Sequence, residues 1–316
     1  MKKQNALIMA ALCVLVGMFS TLAHAGEAKP IKLGFSPGGS NEFVFDTGVL
    51  RGKLHAGGKS TGLSSVVDVA SGLPLDRGEP GPGAPAFGLF SHYRVFSANH
   101  RYGTAAWDWP SEARLQGDGS VEVHWPTAPE RPFELRAVYR WAAPNILDLE
   151  TRVVAKTDLA RFESFLASYF AQDFTNSSVY VSRVPSGAGA KGFMPAERSA
   201  GIWQVFPRDE SVIPIIRDGR WKLEPHPLDW VVMPHLEKPL GMRRSPVSGL
   251  TAVLMSPPED CFALSTPYQE ESHNSMYLSL FGRDLRAGET ARACARLVIG
   301  SRLSEAEMAR FYNVYR

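Results

Sequence analysis

Four groups of side chains have the types and spacing to do chemistry. The first is His92, Arg94, His100 and Arg101, set in the aromatic stretch FGLFSHYRVFSANHRY at 87–102. Imidazoles and guanidiniums in an apolar segment need backbone partners or a ligand, because a buried polar group is costly unless hydrogen-bonded. Two apart, His92 and Arg94 are expected on one face of a strand. The second group is Trp107 and Trp109, flanking Asp108. Indole rings stack on apolar C–H faces such as those of a sugar, and a carboxylate takes the hydroxyls. The third is Tyr169, Gln172 and Asp173. The fourth is QEESHN at 269–274, where Glu271 and His273 have the chemistry of a base and an acid, with His100 a further group able to move a proton. Each group has a plainer reading: histidines satisfied by backbone carbonyls, tryptophans that fill an interior, and a solvated loop at 269–274.

Other chemistries lack their marks. No His-x-His, His-Glu-x-x-His or Cys-x-x-Cys is present, and no phosphate loop, so neither a metal nor a cofactor is expected.

The elements that must position these groups read as strands. In 133–141, the apolar Phe133, Leu135, Ala137, Tyr139 and Trp141 fall on odd positions, with Glu134, Arg136 and Arg140 among the even ones, the period of a half-buried strand. Ala143-Pro144-Asn145 breaks the run as a turn. Leu147, Leu149, Thr151 and Val153 then face one way, and Ile146, Asp148, Glu150 and Arg152 the other. A third segment, crowded by Phe162, Phe165, Tyr169 and Phe170, is expected to be a strand, with a short helix as the alternative. The stretch 133–174 thus reads as three consecutive antiparallel strands.

Around it, 43–54 reads as a strand pair bent at Gly48 and Gly52, and 64–70 and 121–125 as further strands. The segments 275–281 and 291–299 are expected to pair about the turn Arg286-Ala287-Gly288-Glu289. Glycine–proline clusters at 78–85, 185–192 and 256–258 punctuate as loops. The region 201–240, with Trp203, Phe206, Trp221 and Trp230 among prolines, reads as long loops and short strands. Ser304 and Glu307 have capping-box spacing for a final helix. The expected fold class is all-β: one large antiparallel sandwich with a short C-terminal helix.

The first 25 residues carry Lys2 and Lys3, an apolar run from Ala6 to Met18, and small residues Ala23 and Ala25. This is the pattern of a secretory signal peptide cut after Ala25. As a membrane anchor the run falls short of the ~20 residues that a span needs. The expected layout is a signal peptide at 1–25 and a single sandwich domain at 26–316, secreted or periplasmic, with no integral membrane segment after cleavage. Loss of Lys2 and Lys3 takes the 34 basic residues to 32, against 32 acidic ones. A net charge near zero, with no basic run, argues against nucleic acid as a partner. Cys261 and Cys294 remain, either paired or as two free thiols.

The unit ending in Tyr169-Phe170, followed by the turn Leu285-x-x-Gly288-Glu289-Thr290 and a last strand, resembles the galactose mutarotase-like β-supersandwich superfamily. That superfamily includes aldose 1-epimerases and the sandwich domains of several polysaccharide-degrading enzymes. The segment GLFSHYRVF also resembles secreted sandwich proteins of unknown function from environmental bacteria. The resemblance implies a concave sheet face that holds a saccharide. On that basis His92, Arg94, Arg101, Trp107, Trp109, Tyr169 and Asp173 are expected to bind substrate, and His100, Glu271 and His273 to catalyse. The chain also departs from the pattern. Aldose epimerases place a catalytic histidine just before the Ser-Tyr-Phe segment, where this chain has Ala167, and a glutamate on a late strand, where Cys261 to Ser265 holds no carboxylate. Ring opening needs an acid and a base, so a true mutarotase is not expected. The expectation is a carbohydrate-binding or carbohydrate-processing protein. The alternative is a non-catalytic structural or partner-binding envelope protein.

Overall fold

The structure is a computed structural model that describes residues 33–78, 87–185, 189–268 and 274–315. The proposed signal peptide, Glu271 and His273 therefore lie outside the described residues. The described strands all belong to one compact unit that begins at Lys32. Strands β1 (Ser36–Pro37), β2 (Glu42–Asp46), β3 (Leu50–His55) and β4 (Gly62–Asp68) form a four-stranded sheet in that order. There follow β5 (Ser91–Ser97), β6 (His100–Arg101), β7 (Glu112–Leu115), β8 (Val121–Trp125), β9 (Phe133–Ala143), β10 (Ile146–Ala155) and β11 (Leu159–Phe170). After them come β12 (Asn176–Val181), β13 (Gly192–Pro195), β14 (Trp203–Pro207), helix α1 (Ile213–Ile216), β15 (Val231–Val232) and β16 (Leu236–Arg244). The chain closes with β17 (Leu250–Met255), β18 (Cys261–Pro267), β19 (Asn274–Leu285), β20 (Thr290–Ser301) and helix α2 (Glu305–Tyr315).

Two large sheets make the sandwich. One has nine strands in the order β13-β12-β16-β17-β20-β10-β9-β8-β7, the other seven in the order β15-β14-β18-β19-β11-β5-β6. Pairing within them is antiparallel except between β14 and β15. The expected alternation holds: Phe133, Leu135, Ala137, Tyr139 and Trp141 of β9, and Leu147, Leu149, Thr151 and Val153 of β10, are buried. They meet Leu166 and Phe170 of β11 and Leu278 of β19 in one apolar core between the sheets. Burial of such side chains stabilises by roughly 1.5–3 kcal/mol each.

Two expected pairings are corrected. β11 is a strand, but it does not extend the β9–β10 hairpin. The chain crosses to the other sheet, where β11 pairs with β5 and β19. Likewise β19 and β20 do not pair with each other: β19 lies in the seven-stranded sheet and β20 in the nine-stranded one. The physical reason is a pair of braced crossings. Asp158 accepts from the Ala287 backbone N–H at 2.8 Å, and the Gly288 N–H donates to the Ala155 carbonyl at 2.8 Å. Gly288, at φ 83°, supplies the left-handed residue that this second crossing needs. Cys261 and Cys294 sit in different sheets as free thiols.

Helix α2 carries the expected capping box: the Ser304 N–H donates to Glu307 at 2.8 Å and the Glu307 N–H to Ser304 Oγ at 3.3 Å. Met308 and Tyr312 pack it on the outer side of the nine-stranded sheet, against Leu240, Val253, Met255 and Val298. Among the described residues no helix is long and apolar enough to cross a membrane.

Candidate functional site

The outer face of the seven-stranded sheet is aromatic rather than polar. From Glu163 onward the odd-numbered residues of β11 point outward: Phe165, Ala167 and Tyr169 join Phe96, Trp221 and Tyr277 in a second apolar cluster. Phe165 stacks on Tyr277 with ring centres 4.6 Å apart and planes 23° apart. Above this floor lies a cavity of about 530 Å³, lined also by Tyr93, Arg94, Trp107, Trp203, His226 and Trp230, with Lys59 and Asp108 among its polar groups. Its size falls within the range of small-ligand sites.

Three local devices shape it. The first is a β-bulge in β5. Val95 opposes Ser164 and His92 opposes Leu166, so Tyr93 and Arg94 together face Phe165. The extra residue turns Arg94 outward to the cavity and leaves His92 facing inward, as bulges re-aim side chains. The expectation that His92 and Arg94 share a face is corrected for that reason. His92 is fully buried between the sheets, with Nδ1 2.9 Å from Ser164 Oγ, Nε2 3.3 Å from Thr151 Oγ1, and its ring edge-on to Trp125. Burial holds its proton affinity down, to a pKa of about 3. It is a neutral core histidine.

The second device is the short helical turn at Ala106–Asp108. It sends Trp107 and Trp109 to opposite sides. Trp107 stacks on Tyr93 at 4.4 Å and 3° and faces the cavity. Trp109 turns into the core, beside Phe133 and under the Arg131 guanidinium at 4.2 Å, and does not line the cavity. Asp108 is held at the rim by Lys59, 3.0 Å away.

The third device is the loop following α1, which walls the cavity with His226, Leu228 and Trp230. Arg220 anchors it. Fully buried, Arg220 donates to Glu163 at 2.8 Å, to Asp218 at 2.9 Å and to the Arg161 carbonyl at 2.9 Å. Burial pushes the Glu163 carboxyl above its ordinary value, and the Arg220 charge opposes that shift. Two more arginines hold the loop's far end. Arg94 Nη2 donates to the His226 carbonyl at 2.9 Å, and Arg101 donates to the carbonyls of Pro225 and Thr104. His226 stands at φ 64°, a left-handed conformation uncommon outside glycine.

Of the sequence-predicted site residues, then, the structure brings Arg94, Trp107 and Tyr169 to one cavity. Arg101 stands behind it as a loop anchor. His100 is exposed on β6 against Tyr102, away from the cavity, and Asp173 follows β11 outside the lining, in a turn where its carbonyl accepts from the Thr175 N–H. Sequence reasoning missed Tyr93, Phe165, Trp203, His226, Trp230 and Tyr277. Only the tryptophans among the prolines of 201–240 hinted at a wall. The string Gly34-Phe35-Ser36-Pro37-Gly38 has the spacing of a nucleophile elbow, but Ser36 lies on the exposed edge strand β1 rather than on a strand-to-helix turn, so it lacks that motif's context. Among the described residues no group of three or more His, Cys, Asp or Glu could hold a metal ion.

No family model matches the sequence, and no curated protein matches it either. Solved structures do match by shape. A galactose mutarotase-like protein from Lactobacillus casei ATCC 334 superposes with TM-score 0.52 at 9% identity, over 82% of this chain and 100% of that one. The Slr1438 protein from Synechocystis sp. PCC 6803 gives 0.51 at 11% identity, over 82% and 94%. A galactose mutarotase related enzyme from Lactobacillus acidophilus gives 0.50 at 10% identity, over 84% and 99%. Identities this low speak to fold alone, and the fold of this chain is the galactose mutarotase-like β-sandwich.

Proposed function

We propose that the protein is exported after cleavage at Ala25 and binds a saccharide in the cavity on the seven-stranded sheet. On this reading it is a carbohydrate-binding or carbohydrate-processing protein of the secreted or periplasmic space, and not a mutarotase. The observation that carries the reading is the aromatic lining. Trp107 on Tyr93, and Phe165 on Tyr277, present flat apolar surfaces, and Lys59, Asp108 and His226 offer polar groups around them. That combination suits a ring with C–H faces and peripheral hydroxyls. The names of the similar structures, galactose mutarotase-like and galactose mutarotase related, lend support of the same kind.

Ala167 supports the exclusion of mutarotase chemistry. It lies in the outer aromatic cluster opposite Tyr277, where the resemblance would place a histidine. Cys261 to Ser265 is a buried strand without a carboxylate. The titratable groups lining the cavity are instead Lys59, Tyr93, Arg94, Asp108, Tyr169, His226 and Tyr277. The structural-partner alternative has less behind it: the exposed large apolar side chains among the described residues are valines and leucines, while the aromatic surface gathers at the cavity.

A glycan-array and thermal-shift screen of the exported protein, beside Trp107→Ala, tests this. A specific glycan should raise the melting temperature of the wild type and lose affinity on the variant. A blank across neutral, acidic and sulfated glycans would sink the saccharide reading.

A further inference from the structure

Arg94 does more than hold a loop. It is 3% exposed and lines the cavity. One nitrogen, Nη2, donates to the His226 carbonyl at 2.9 Å, but Nε and Nη1 have no partner among the described residues. Buried charged donors without acceptors are rare and costly. Aromatic rings fix the guanidinium in place, 5.1 Å from the centre of Tyr93 and 5.2 Å from that of Trp221, yet a ring face is no substitute for an acceptor oxygen.

No carboxylate answers this cation in the described structure. Asp108, the acidic group of the lining, is engaged by Lys59 at 3.0 Å. Behind Arg94 stands a second buried cation. Arg101 is 9% exposed, its Nε is likewise without a partner, and its other contacts are carbonyls and Tyr93. Burial, and then the charge of Arg94, hold the Arg101 guanidinium below its ordinary proton affinity. Two like charges are thus packed at one end of an aromatic cavity. A neutral sugar hydroxyl would accept one hydrogen bond and leave the charge surplus in place. An anion would meet both needs.

We propose that the saccharide carries an anionic group, and that Arg94 receives that group through Nε and Nη1. The inference rests on the saccharide reading above and narrows it to acidic glycans. The carboxylate of a uronic acid and the sulfate of an ester share the required chemistry.

Isothermal titration of the full-length exported protein with matched pairs tests this. The pairs are oligogalacturonides against their methyl esters, and heparin-derived oligosaccharides against their desulfated forms, with neutral galacto-oligosaccharides alongside. One acidic member should bind, and masking its charge should weaken binding roughly tenfold to a hundredfold. The pair that shows the loss identifies the group as carboxylate or sulfate. Affinity for the acidic form should fall as sodium chloride rises. Arg94→Gln should abolish the preference for the acidic ligand over its masked form, even where loss of the Arg94 bond to the His226 carbonyl weakens both, and Arg94→Lys should recover part of that preference. Should Arg94→Gln fail to fold by circular dichroism, the masked pairs on the wild type still decide. Equal binding of charged and masked forms overturns the anionic group and leaves the saccharide reading standing. Absence of binding by every glycan in both halves overturns the two together.

Discussion

The outer faces of the two large sheets handle charge in opposite ways. On the nine-stranded sheet, cations and carboxylates pair with each other on a partly exposed outer face. Arg136 meets Glu122 at 3.1 Å, Lys156 meets Glu134 at 2.7 Å, and Arg296 meets Asp148 directly opposite it at 2.6 Å. These are pairs on a partly solvated surface, each worth little. On the seven-stranded sheet the arginines are buried among aromatic rings. Arg220 is matched by Glu163 and Asp218, whereas Arg94 meets no carboxylate among the described residues. A face whose cations pair with carboxylates in this way is a surface, and a face that leaves the buried cations Arg94 and Arg101 without a carboxylate among the described residues is a candidate site. Arginine count alone does not separate the two faces; partner and burial do.

Breaking the anchor of the site should have the largest effect. Arg220→Leu leaves Glu163 buried beside an apolar side chain, at a cost of about 3–5 kcal/mol. The urea midpoint should fall accordingly, and saccharide affinity with it as the loop loosens. The double variant Arg220→Leu with Glu163→Leu should regain much of the stability. A single variant as stable as the wild type would mean that the loop is not held there.

Next in size is the acid sensitivity of His92. Its folded-state pKa, about 3, lies below the ordinary 6.5. Between those values only the unfolded chain takes the proton. The contribution of His92 is therefore fully present above pH 6.5 and is lost as pH falls toward 3. By pH 5 the loss is about 2 kcal/mol. Urea midpoints at pH 7.5, 6 and 5 should fall more steeply for the wild type than for His92→Asn. Parallel slopes would place a charged histidine in the core and contradict its assignment.

A smaller effect, and one on binding, is expected at Trp107. Trp107→Ala should weaken the saccharide roughly tenfold by removing a stacking surface, read by isothermal titration. The smallest effect belongs to the solvated face. Arg136→Ala should cost less than about 1 kcal/mol and leave binding untouched. A larger loss, in stability or affinity, would erase the contrast between the faces.

How much of this was legible in the sequence follows from how each segment is buried. β9 and β10 bury one face and wet the other, so their period of two was plain in Phe133 to Trp141 and Leu147 to Val153. β11 is buried on both sides: Leu166 and Phe170 enter the core, and Phe165 and Tyr169 lie beneath the loop. A strand covered twice shows no alternation, so neither its sheet nor its partners could be read. The galactose mutarotase-like fold was visible through a few turn and strand positions. The site was visible only in part. The bulge that turns Arg94 away from His92 is a backbone irregularity with no residue signature, and two apart normally means same-facing. The turn at Ala106–Asp108 divides two tryptophans that look equivalent on paper. Tyr277 and Phe165 meet across strands far apart in sequence, a pairing that spacing alone cannot supply.

The most direct measurement is the set of indole N–H signals of the seven tryptophans, followed by NMR during titration with the best glycan from the screen. A saccharide in the cavity should move Trp107, Trp203 and Trp230, which line it, and leave the core residues Trp109, Trp125 and Trp141 in place. Movement at the core tryptophans with the three lining signals unmoved, or no movement with any glycan, would contradict a saccharide site on the seven-stranded sheet.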